Sequence, residues 1–371
     1  LHPQRELTRI VLISILTNIG TRTVFGGTNM TSLLGTLEEL PQEYRDDMAA
    51  AGVAPLWPMM RNVLPHGQPN PVTKPSHWAF AAVRPLLIRA GELTPVEKAE
   101  RRVLVLSDRG RGVGAMQATS SIYLGLQLLL PGETAPAHVH TPSAVRIVVE
   151  GSGGYTVVDG EKLPMEEGDL VLTPGGEWHD HGHEGTEPVI WLDALDLPLF
   201  VYLEGSYATE GPLQSQRNRP DASQVEYRSS GLVPTRSVHR PRRYPMMRYP
   251  WVKTEEALRA MARHGDIAEL DFINPETGAD VLPTMGFTAM MLAKGSVSAP
   301  PIRSCSNAFH VVKGRGKTVV NGEVIEWGPK DTFTAPVFSK IDHHATEESF
   351  LVRIHDRPLQ DKLGYYEERA R

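Results

Sequence analysis

Two histidines stand two positions apart ahead of an apolar run, in APAHVHTPSAVRIVVEG over residues 135–151. A β-strand sends alternate side chains to the same face, so His138 and His140 point together, and Arg146 joins them if the strand stays regular. Imidazoles are common metal ligands, and a guanidinium facing a barrel interior is costly unless it meets an anion. That anion could be an internal carboxylate, such as Asp193, or the carboxylate of a substrate.

The region around this stretch predicts a small β-barrel or sandwich. From about residue 101 to 202, short runs of aliphatic and β-branched residues alternate with turns such as VDGEK, and the pattern returns from about 285 to 355. The two regions repeat one unit, because EGSGGYTVVDGEKLPMEEGDLVLTPG (150–175) matches KGRGKTVVNGEVIEWGPKDTFTAPV (313–337). We therefore expect an all-β dominated chain with two copies of one β-unit.

The histidine spacing resembles the two-part motif of the cupin superfamily, which folds as a double-stranded β-helix barrel. The first part contains His138 and His140, and the second part, GDLVLTPGGEWH, ends on His179. Ala144 stands where many cupins carry a glutamate as a fourth ligand. Three neutral imidazoles would leave positions open on a metal, as in catalytic sites, whereas hydrogen-bonded core histidines are the alternative. These ligands alone do not decide between zinc and iron.

The second copy lacks these ligands. The same template places Pro301, Arg303 and Ile341 at the three histidine positions, and these side chains cannot form a divalent-cation site. His343 and His344 lie nearby but off register, which favours surface positions or a polar network. We therefore expect a metal in the first barrel only and a structural role for the second.

Alternation also predicts a pocket wall beside the histidines. In SSIYLGLQLLL, Tyr123, Gly125 and Gln127 share one face, and leucines occupy the other. On this interpretation the glycine makes room for a flat ligand. A polar rim of the barrel is the alternative.

Arginines near the barrel predict an acidic ligand. Arg101 and Arg102 stand just ahead of the first barrel strand and could add a cation to Arg146. His181 follows His179 by two residues in HDHGH, where it could hydrogen bond a ligand on the metal or move a proton. A metal together with guanidinium groups favours an acidic small molecule that chelates the ion.

Composition excludes several classes of protein. Of 371 residues, 40% are hydrophobic and 22% are charged, and the net charge of −6 provides no basic field for nucleic acid or membrane. The single cysteine, Cys305, rules out an internal disulfide framework and fits a reducing cytoplasm. The apolar run at 9–16 is too short to span a bilayer. The basic stretch at 239–250 is expected to be a solvated connector.

These patterns divide the chain into four parts. We expect an extension with a helix that ends at Gly52 over residues 1–53, a metal-binding cupin over 54–202, a connector with a short helix (254–264) over 203–265, and a degenerate cupin without metal over 266–371.

Beyond the histidines, the sequence resembles the bicupin ring-cleaving dioxygenases, a family with gentisate, salicylate and 1-hydroxy-2-naphthoate dioxygenases. The matching segments lie between about residues 54 and 356 and include APLW, PSHW, AGELTPVEKAERR, GDLVLTPGGEWHDHGH, WLDALD and NPETGADVLPT. The resemblance implies a mononuclear Fe(II) enzyme of aromatic degradation, assembled as a homo-oligomer, commonly a tetramer. Such an enzyme uses O₂ to cleave gentisate to maleylpyruvate.

Roles for individual residues follow from the resemblance by position. The implied iron ligands are His138, His140 and His179. The implied clamp on the substrate carboxylate and hydroxyl consists of Arg101, Arg146 and His181. The implied contacts behind the ligands or to the para hydroxyl are Tyr123, Gln127 and Asp193.

Substrate choice rests on one of these positions. Relatives that accept salicylate carry a tryptophan where this chain has Tyr123, and a tyrosine can hydrogen bond the 5-hydroxyl of gentisate. Gentisate is therefore the expected substrate, with salicylate or 1-hydroxy-2-naphthoate as the alternative. A non-catalytic bicupin binding protein and a Zn²⁺ or Mn²⁺ isomerase or hydrolase are the alternatives from other classes.

Overall fold

The structure is a computed structural model that describes residues 35–211 and 219–371. The chain divides between Asn70 and Pro71 into two compact units. What the sequence predicts for residues 1–34 lies outside the described residues. Within the described ranges, no helix has the length and apolar character needed to cross a bilayer.

The described part of the first unit contains helices α1 (Gln42–Ala50) and α2 (Met60–Val63), with a 3-10 turn at Trp57–Met59. The predicted helix ends near Gly52 as expected but begins only after Pro41, because a proline inside a helix removes a hydrogen bond and clashes with the preceding turn. Gly52 follows the helix with a φ of +68°, the left-handed conformation that glycine tolerates at a helix end.

β-strands dominate the second unit. The strands of its first half and of the connector are β1 (Ser76–Trp78), β2 (Arg102–Val105), β3 (Tyr123–Leu129), β4 (Thr134–His140), β5 (Ala144–Glu150), β6 (Gly154–Val158), β7 (Glu161–Met165), β8 (Leu170–Thr173), β9 (His179–His183), β10 (Val189–Leu195), β11 (Ala208–Glu210), β12 (Arg219–Pro220) and β13 (Arg248–Tyr249).

The strands of its second half are β14 (Ile267–Asp271), β15 (Gly286–Leu292), β16 (Val297–Ser298), β17 (Ile302–Arg303), β18 (Asn307–Lys313), β19 (Gly316–Val320), β20 (Glu323–Trp327), β21 (Thr332–Ala335), β22 (Ile341–Ala345), β23 (Ser349–His355) and β24 (Glu368–Arg369). The helices of this unit are α3 (Phe80–Leu93), α4 (Val96–Ala99), α5 (Leu197–Tyr202), α6 (Ala222–Glu226), α7 (Thr235–His239), α8 (Trp251–Met261) and α9 (Arg357–Leu363).

Two six-stranded sheets form the first barrel. One has the order β13-β8-β5-β10-β3-β2 and the other β11-β4-β9-β6-β7-β12. Arg146 of the first sheet lies 3.1 Å from His181 of the second, so the two sheets face each other across the interior. The outer face of the first sheet is also buried, because Leu124 and Leu126 of β3 share a core with Leu87 of α3. Helix α3 therefore fixes the sheet whose other face lines the site.

The second barrel repeats this architecture. Its sheets have the orders β1-β21-β18-β23-β15-β14 and β16-β22-β19-β20. The run β21-β18-β23-β15-β14 corresponds to β8-β5-β10-β3-β2. Both copies contain a two-residue hairpin with positive φ at each position, Asp159-Gly160 (45° and 77°) and Asn321-Gly322 (53° and 91°), which is why Asp-Gly and Asn-Gly occur there. These findings confirm the two-barrel fold and the repeat.

Connector strands lie at the sheet edges of the first barrel. The prediction of a solvated connector at 239–250 is wrong at its end, because Arg248 of β13 is buried and pairs with Asp169 (2.7 Å) and Asp221 (2.9 Å). These acidic partners are distant in sequence, so composition could not reveal them. The helix predicted at 254–264 is present as α8 and a following 3-10 turn. The domain boundaries stay predictions.

Candidate metal centre

Three histidines from two neighbouring strands converge inside the first barrel. Strands β4 and β9 pair antiparallel with His138 opposite His179, and a β-bulge precedes His138. One ring nitrogen from each of His138, His140 and His179 lies within 4.8 Å of the others. The ring centroids are 4.0 to 5.1 Å apart. This spacing allows all three rings to contact one ion.

The orientation of the rings fits metal binding. The Nδ1–H groups of His140 and His179 donate to the carbonyl oxygens of Pro142 (2.7 Å) and Glu177 (2.9 Å). This arrangement leaves Nε2 as the free lone pair, and the buried Nε2 of His179 has no hydrogen-bond partner among the described residues. Metal-bound histidines are held by the same kind of outer hydrogen bond. The three-histidine site therefore fits a metal ion.

Burial keeps these imidazoles neutral. It lowers the pKa of His138 to about 3 and that of His140 to about 4, and the nearby Arg101 and Arg146 guanidinium groups contribute in the same direction. Burial also places the pKa of His179 well below its ordinary value. The lone pairs are consequently available at neutral pH, as metal binding requires.

Of the two adjacent arginines, Arg101 reaches the histidines. Strand β2 pairs with β3 so that Arg102 stands opposite Leu128 on the outer face, where it forms an ion pair with Glu133. The Nη2 of Arg101 lies 2.5 Å from His138 Nδ1. A metal on His138 Nε2 would leave the ring proton on Nδ1, and a guanidinium cannot accept that proton. In a metal-bound protein with this tautomer, Arg101 would therefore not keep this contact.

Strand register brings an ion pair to the opposite wall. Gly125 pairs with Asp193, and Asp193 pairs with Arg146, so the three residues lie on one face of three adjacent strands. The Nε of Arg146 lies 3.2 Å from Asp193 Oδ1, without a well-directed hydrogen bond, and Nη1 contacts Thr173. Burial lowers the pKa of Arg146 and raises that of Asp193, and their attraction opposes both shifts. The internal carboxylate is thus one anion that Arg146 meets.

His181 lies between the three histidines and this ion pair. Its Nε2 is 3.1 Å from Arg146 Nη2, and its Nδ1 is 2.9 Å from Thr156 Oγ1. Because the guanidinium only donates, Nε2 is the acceptor and Nδ1–H donates to Thr156, whose hydroxyl faces Met165 Sδ at 3.4 Å. Burial, and then Arg146, hold the pKa of His181 well below its ordinary value. His181 is therefore neutral, with Nε2 as an acceptor toward Arg146.

We expect Thr156→Val to lower the free energy of unfolding by about 1–3 kcal/mol, because the buried Nδ1–H of His181 loses its acceptor while the side-chain shape is kept. The thermal unfolding midpoint should fall by roughly 1–4 °C. Thr156→Ser keeps the hydroxyl and serves as the control. Equal midpoints for the valine variant and the wild type would contradict this hydrogen bond.

Tyr123 and Gln127 lie on the wall that the sequence predicts. A Cβ on Gly125 would come within 2.7 Å of the Tyr123 hydroxyl, so the tyrosine itself uses the space that the glycine leaves. Burial, followed by the charge of Asp193, raises the pKa of Tyr123, which keeps its hydroxyl protonated. Gln127 is buried and stands opposite Trp191 in the same sheet.

Sequence reasoning missed Thr156, Thr173 and Trp191. Trp191 Nε1 donates to Asp193 Oδ2 at 3.1 Å, and its ring centroid is 5.7 Å from that of His181. Alternation in WLDALD could have placed this tryptophan beside the aspartate. The two threonines carry no comparable signal, because a strand threonine is common in any sheet.

Comparisons with known proteins agree with this geometry. Residues 125–195 match the family model described as Cupin domain. The chain is 46% identical over 348 residues to gentisate 1,2-dioxygenase from Ralstonia sp., across 92% of this chain and 98% of the relative. It is 36% identical over 336 residues to 5-aminosalicylate 1,2-dioxygenase from Comamonas sp., across 88% and 89% respectively.

A solved structure has the same fold over nearly the whole chain. The crystal structure of salicylate 1,2-dioxygenase from Pseudoaminobacter salicylatoxidans, in adducts with gentisate, matches with a TM-score of 0.84 and 27% identity. The match covers 94% of this chain and 97% of that chain.

Proposed function

This chain belongs to the bicupin ring-cleaving dioxygenases, and we propose that it uses Fe(II) and O₂ to cleave gentisate to maleylpyruvate in aromatic compound degradation. One observation carries the proposal: a single barrel directs three neutral imidazoles and two guanidinium groups toward the same interior space. Cleavage of salicylate or 1-hydroxy-2-naphthoate is the alternative within the family.

We assign the iron to His138, His140 and His179. When bound, ferrous iron supplies coordination positions for substrate oxygens and O₂, together with the redox chemistry that couples them. Three protein ligands leave such positions open. The backbone carbonyls of Pro142 and Glu177 hold two of the rings in the tautomer that this assignment needs.

The charges of the pocket support an acidic substrate. Burial lowers the pKa of Arg101 to about 10, and repulsion from Arg146 contributes to the shift. Asp193 offsets only part of the charge of these two guanidinium groups, so a substrate carboxylate would relieve the repulsion between them. Displacement of Arg101 from His138 on metal binding would also free its guanidinium for this carboxylate. Arg101 and Arg146 are therefore proposed to clamp the acid group.

The remaining wall residues are assigned to the hydroxyl groups of the substrate. His181 is assigned to the hydroxyl beside the carboxylate, because its Nε2 would become free to accept from that hydroxyl when Arg146 turns to the substrate carboxylate. Tyr123, which keeps its proton, can donate to the 5-hydroxyl at the far side of the ring, and Gln127 and Asp193 line the same face. A site that hydrogen bonds a hydroxyl discriminates against a substrate that lacks it.

Oxygen uptake tests the proposal. We expect the Fe(II)-loaded enzyme to show a kcat/KM for gentisate at least about 100-fold above that for salicylate or 1-hydroxy-2-naphthoate. Tyr123→Phe should narrow the gentisate-to-salicylate ratio by about tenfold, because gentisate loses one hydrogen bond and salicylate loses none. An oxygen electrode with each of the three substrates provides the measurement.

The control variant is Tyr365→Phe, at an exposed tyrosine of the second half, which should keep the wild-type ratio. Turnover by Zn²⁺-loaded protein, or no O₂ uptake with any of the three acids, would contradict the proposal. Faster uptake with salicylate would replace gentisate by the alternative substrate.

We further propose that the enzyme works as a homotetramer in the cytoplasm. The tetramer rests on the family resemblance. The cytoplasmic location is supported by cysteine usage, because a single cysteine cannot form an internal disulfide framework. Cys305 is buried, and burial raises the pKa of its thiol to about 12, so this side chain is not suited to nucleophilic chemistry.

A further inference from the structure

We propose that the second barrel, which lacks the metal ligands, binds a halide-sized anion between Arg353 and His343. A cavity inside this barrel is lined by both residues, with Arg303 and Asn307 among its other neighbours. Its free volume of about 10 Å³ is enough for one ligand of roughly the size of a water molecule.

The two barrels carry opposite charges at equivalent strand positions. Arg353 of β23 stands between Thr288 of β15 and Phe309 of β18, which is the place of Asp193 between Gly125 and Arg146 in the first barrel. The second barrel thus has a cation where the first has a carboxylate, and a phenyl ring where the first has a guanidinium. The arginine that replaces the aspartate has no equivalent of its ion-pair partner.

Arg353 is buried with incomplete hydrogen bonding. Only 6% of the residue is exposed, and Nη2 donates to Thr288 Oγ1 at 3.1 Å. Its Nε is buried and has no hydrogen-bond partner among the described residues, where Arg353 also makes no ion pair. A buried guanidinium in this state is costly unless an anion accompanies it.

His343 supplies the second donor. It corresponds to His181 rather than to His179, because Thr318 Oγ1 lies 2.8 Å from its Nδ1 just as Thr156 does in the first barrel. It is fully buried, so of the two readings of this histidine the polar network applies and the surface position does not.

A different residue at one neighbouring position reverses the direction of the hydrogen bond between threonine and histidine in the second barrel. Trp327 takes the place of Met165, and its Nε1 donates to Thr318 Oγ1 at 2.9 Å. Among the described residues, His343 Nδ1 is the one acceptor within reach of the Thr318 hydroxyl hydrogen, so Thr318 donates to Nδ1 and the ring hydrogen lies on Nε2. This buried Nε2 has no partner in the described part of the chain. His343 therefore turns a donor into the cavity, whereas Nε2 of His181 is an acceptor.

Two unpaired N–H donors consequently line one small cavity. An anion accepts hydrogen bonds from both donors and also offsets the positive charge of Arg353. A water molecule accepts the same two hydrogen bonds but leaves that charge without a counter-ion. The other charged groups near Arg353 are Arg303, whose Nε pairs with Glu368 at 3.0 Å, the half-buried Glu269, and Asp271, which accepts from Thr288 at 2.6 Å and does not pair with Arg353 directly. The cavity volume favours a monatomic ion over a carboxylate.

Thermal unfolding of the iron-loaded enzyme tests the site. Sodium bromide is titrated against sodium gluconate at constant ionic strength. We expect the wild-type midpoint to rise with the logarithm of the bromide concentration, by about 3 °C at roughly 100 times the dissociation constant, because the ion binds the folded state only. Arg353→Met should lose this dependence, and Arg236→Met, at an exposed arginine of the connector, should keep it.

Equal bromide dependence in wild type and Arg353→Met would overturn the proposal, and equal stabilisation by formate would overturn the monatomic assignment. If Arg353→Met does not fold, wild-type crystals soaked in bromide decide the question. An anomalous peak within hydrogen-bond distance of Arg353 Nε and His343 Nε2 supports the proposal. A peak there without anomalous signal is water, and no peak is an empty cavity; either result refutes it.

Discussion

The His179→Ala protein is expected to purify without iron and to consume O₂ with gentisate at least about 100-fold more slowly than the wild type. His179 is the one proposed ligand on β9, and its Nε2 is a buried nitrogen without another partner in the described residues. Loss of an outer hydrogen bond to a metal ligand already costs roughly 10–100-fold, so loss of the ligand itself should cost more. Iron per chain by mass spectrometry and uptake at an oxygen electrode provide the two measurements.

The matched control is His344→Ala, at a half-buried histidine on β22, the second barrel's counterpart of β9. Its iron content and uptake should equal those of the wild type. Wild-type iron in the His179→Ala protein would contradict the assignment of His179 as a ligand. Iron-free wild type and the His179→Ala variant should have the same unfolding midpoint. A lower midpoint for the variant would show that the alanine also affects the fold.

The two-barrel fold could be predicted from local patterns because each copy carries its own turn and strand signals. Asp159-Gly160 and Asn321-Gly322 mark equivalent hairpins. The strands around each hairpin have apolar residues that alternate with polar ones or form a continuous run. The edges of the sheets could not be predicted in this way. Short strands such as β1 and β13 pair with distant partners through two or three residues, too few for a periodic signal.

The site shows the same division between local and non-local information. His138, His140 and Arg146 could be placed together because alternation within one or two strands decides their direction. The choice between Arg101 and Arg102 depends on how β2 pairs with β3, since a shift of one residue exchanges the two faces. Sequence alone could not make that choice, although the family resemblance selected Arg101.

The comparison of the two barrels explains why His343 belongs to a polar network. A template counted from proline places Ile341 at the ligand position, so His343 falls two residues away and is off register for a metal. It is in register for His181, and the Thr318 contact shows this directly. The polar residue that neighbours the proposed metal site thus has a counterpart in the second barrel, whereas the proposed ligands do not.

The Arg146→Ala protein is expected to keep its iron and to lose affinity for gentisate, with KM rising roughly 10–100-fold. A charge-assisted hydrogen bond to a carboxylate contributes about 1.5–3 kcal/mol, whereas no proposed iron ligand hydrogen bonds to Arg146 among the described residues. The same change leaves Asp193 buried at 5% exposure without its cation, which should lower the unfolding midpoint as well. Iron content, KM and kcat are measured separately.

The double variant Arg146→Ala/Asp193→Asn separates the two effects of this arginine. Neutralising Asp193 removes the unpaired buried charge, so the unfolding midpoint should recover toward the wild type. KM should stay high, because the cation proposed to hold the substrate carboxylate is still absent. Recovery of KM together with stability would mean that Arg146 acts only through Asp193, and loss of iron in the single variant would contradict its proposed contact with substrate.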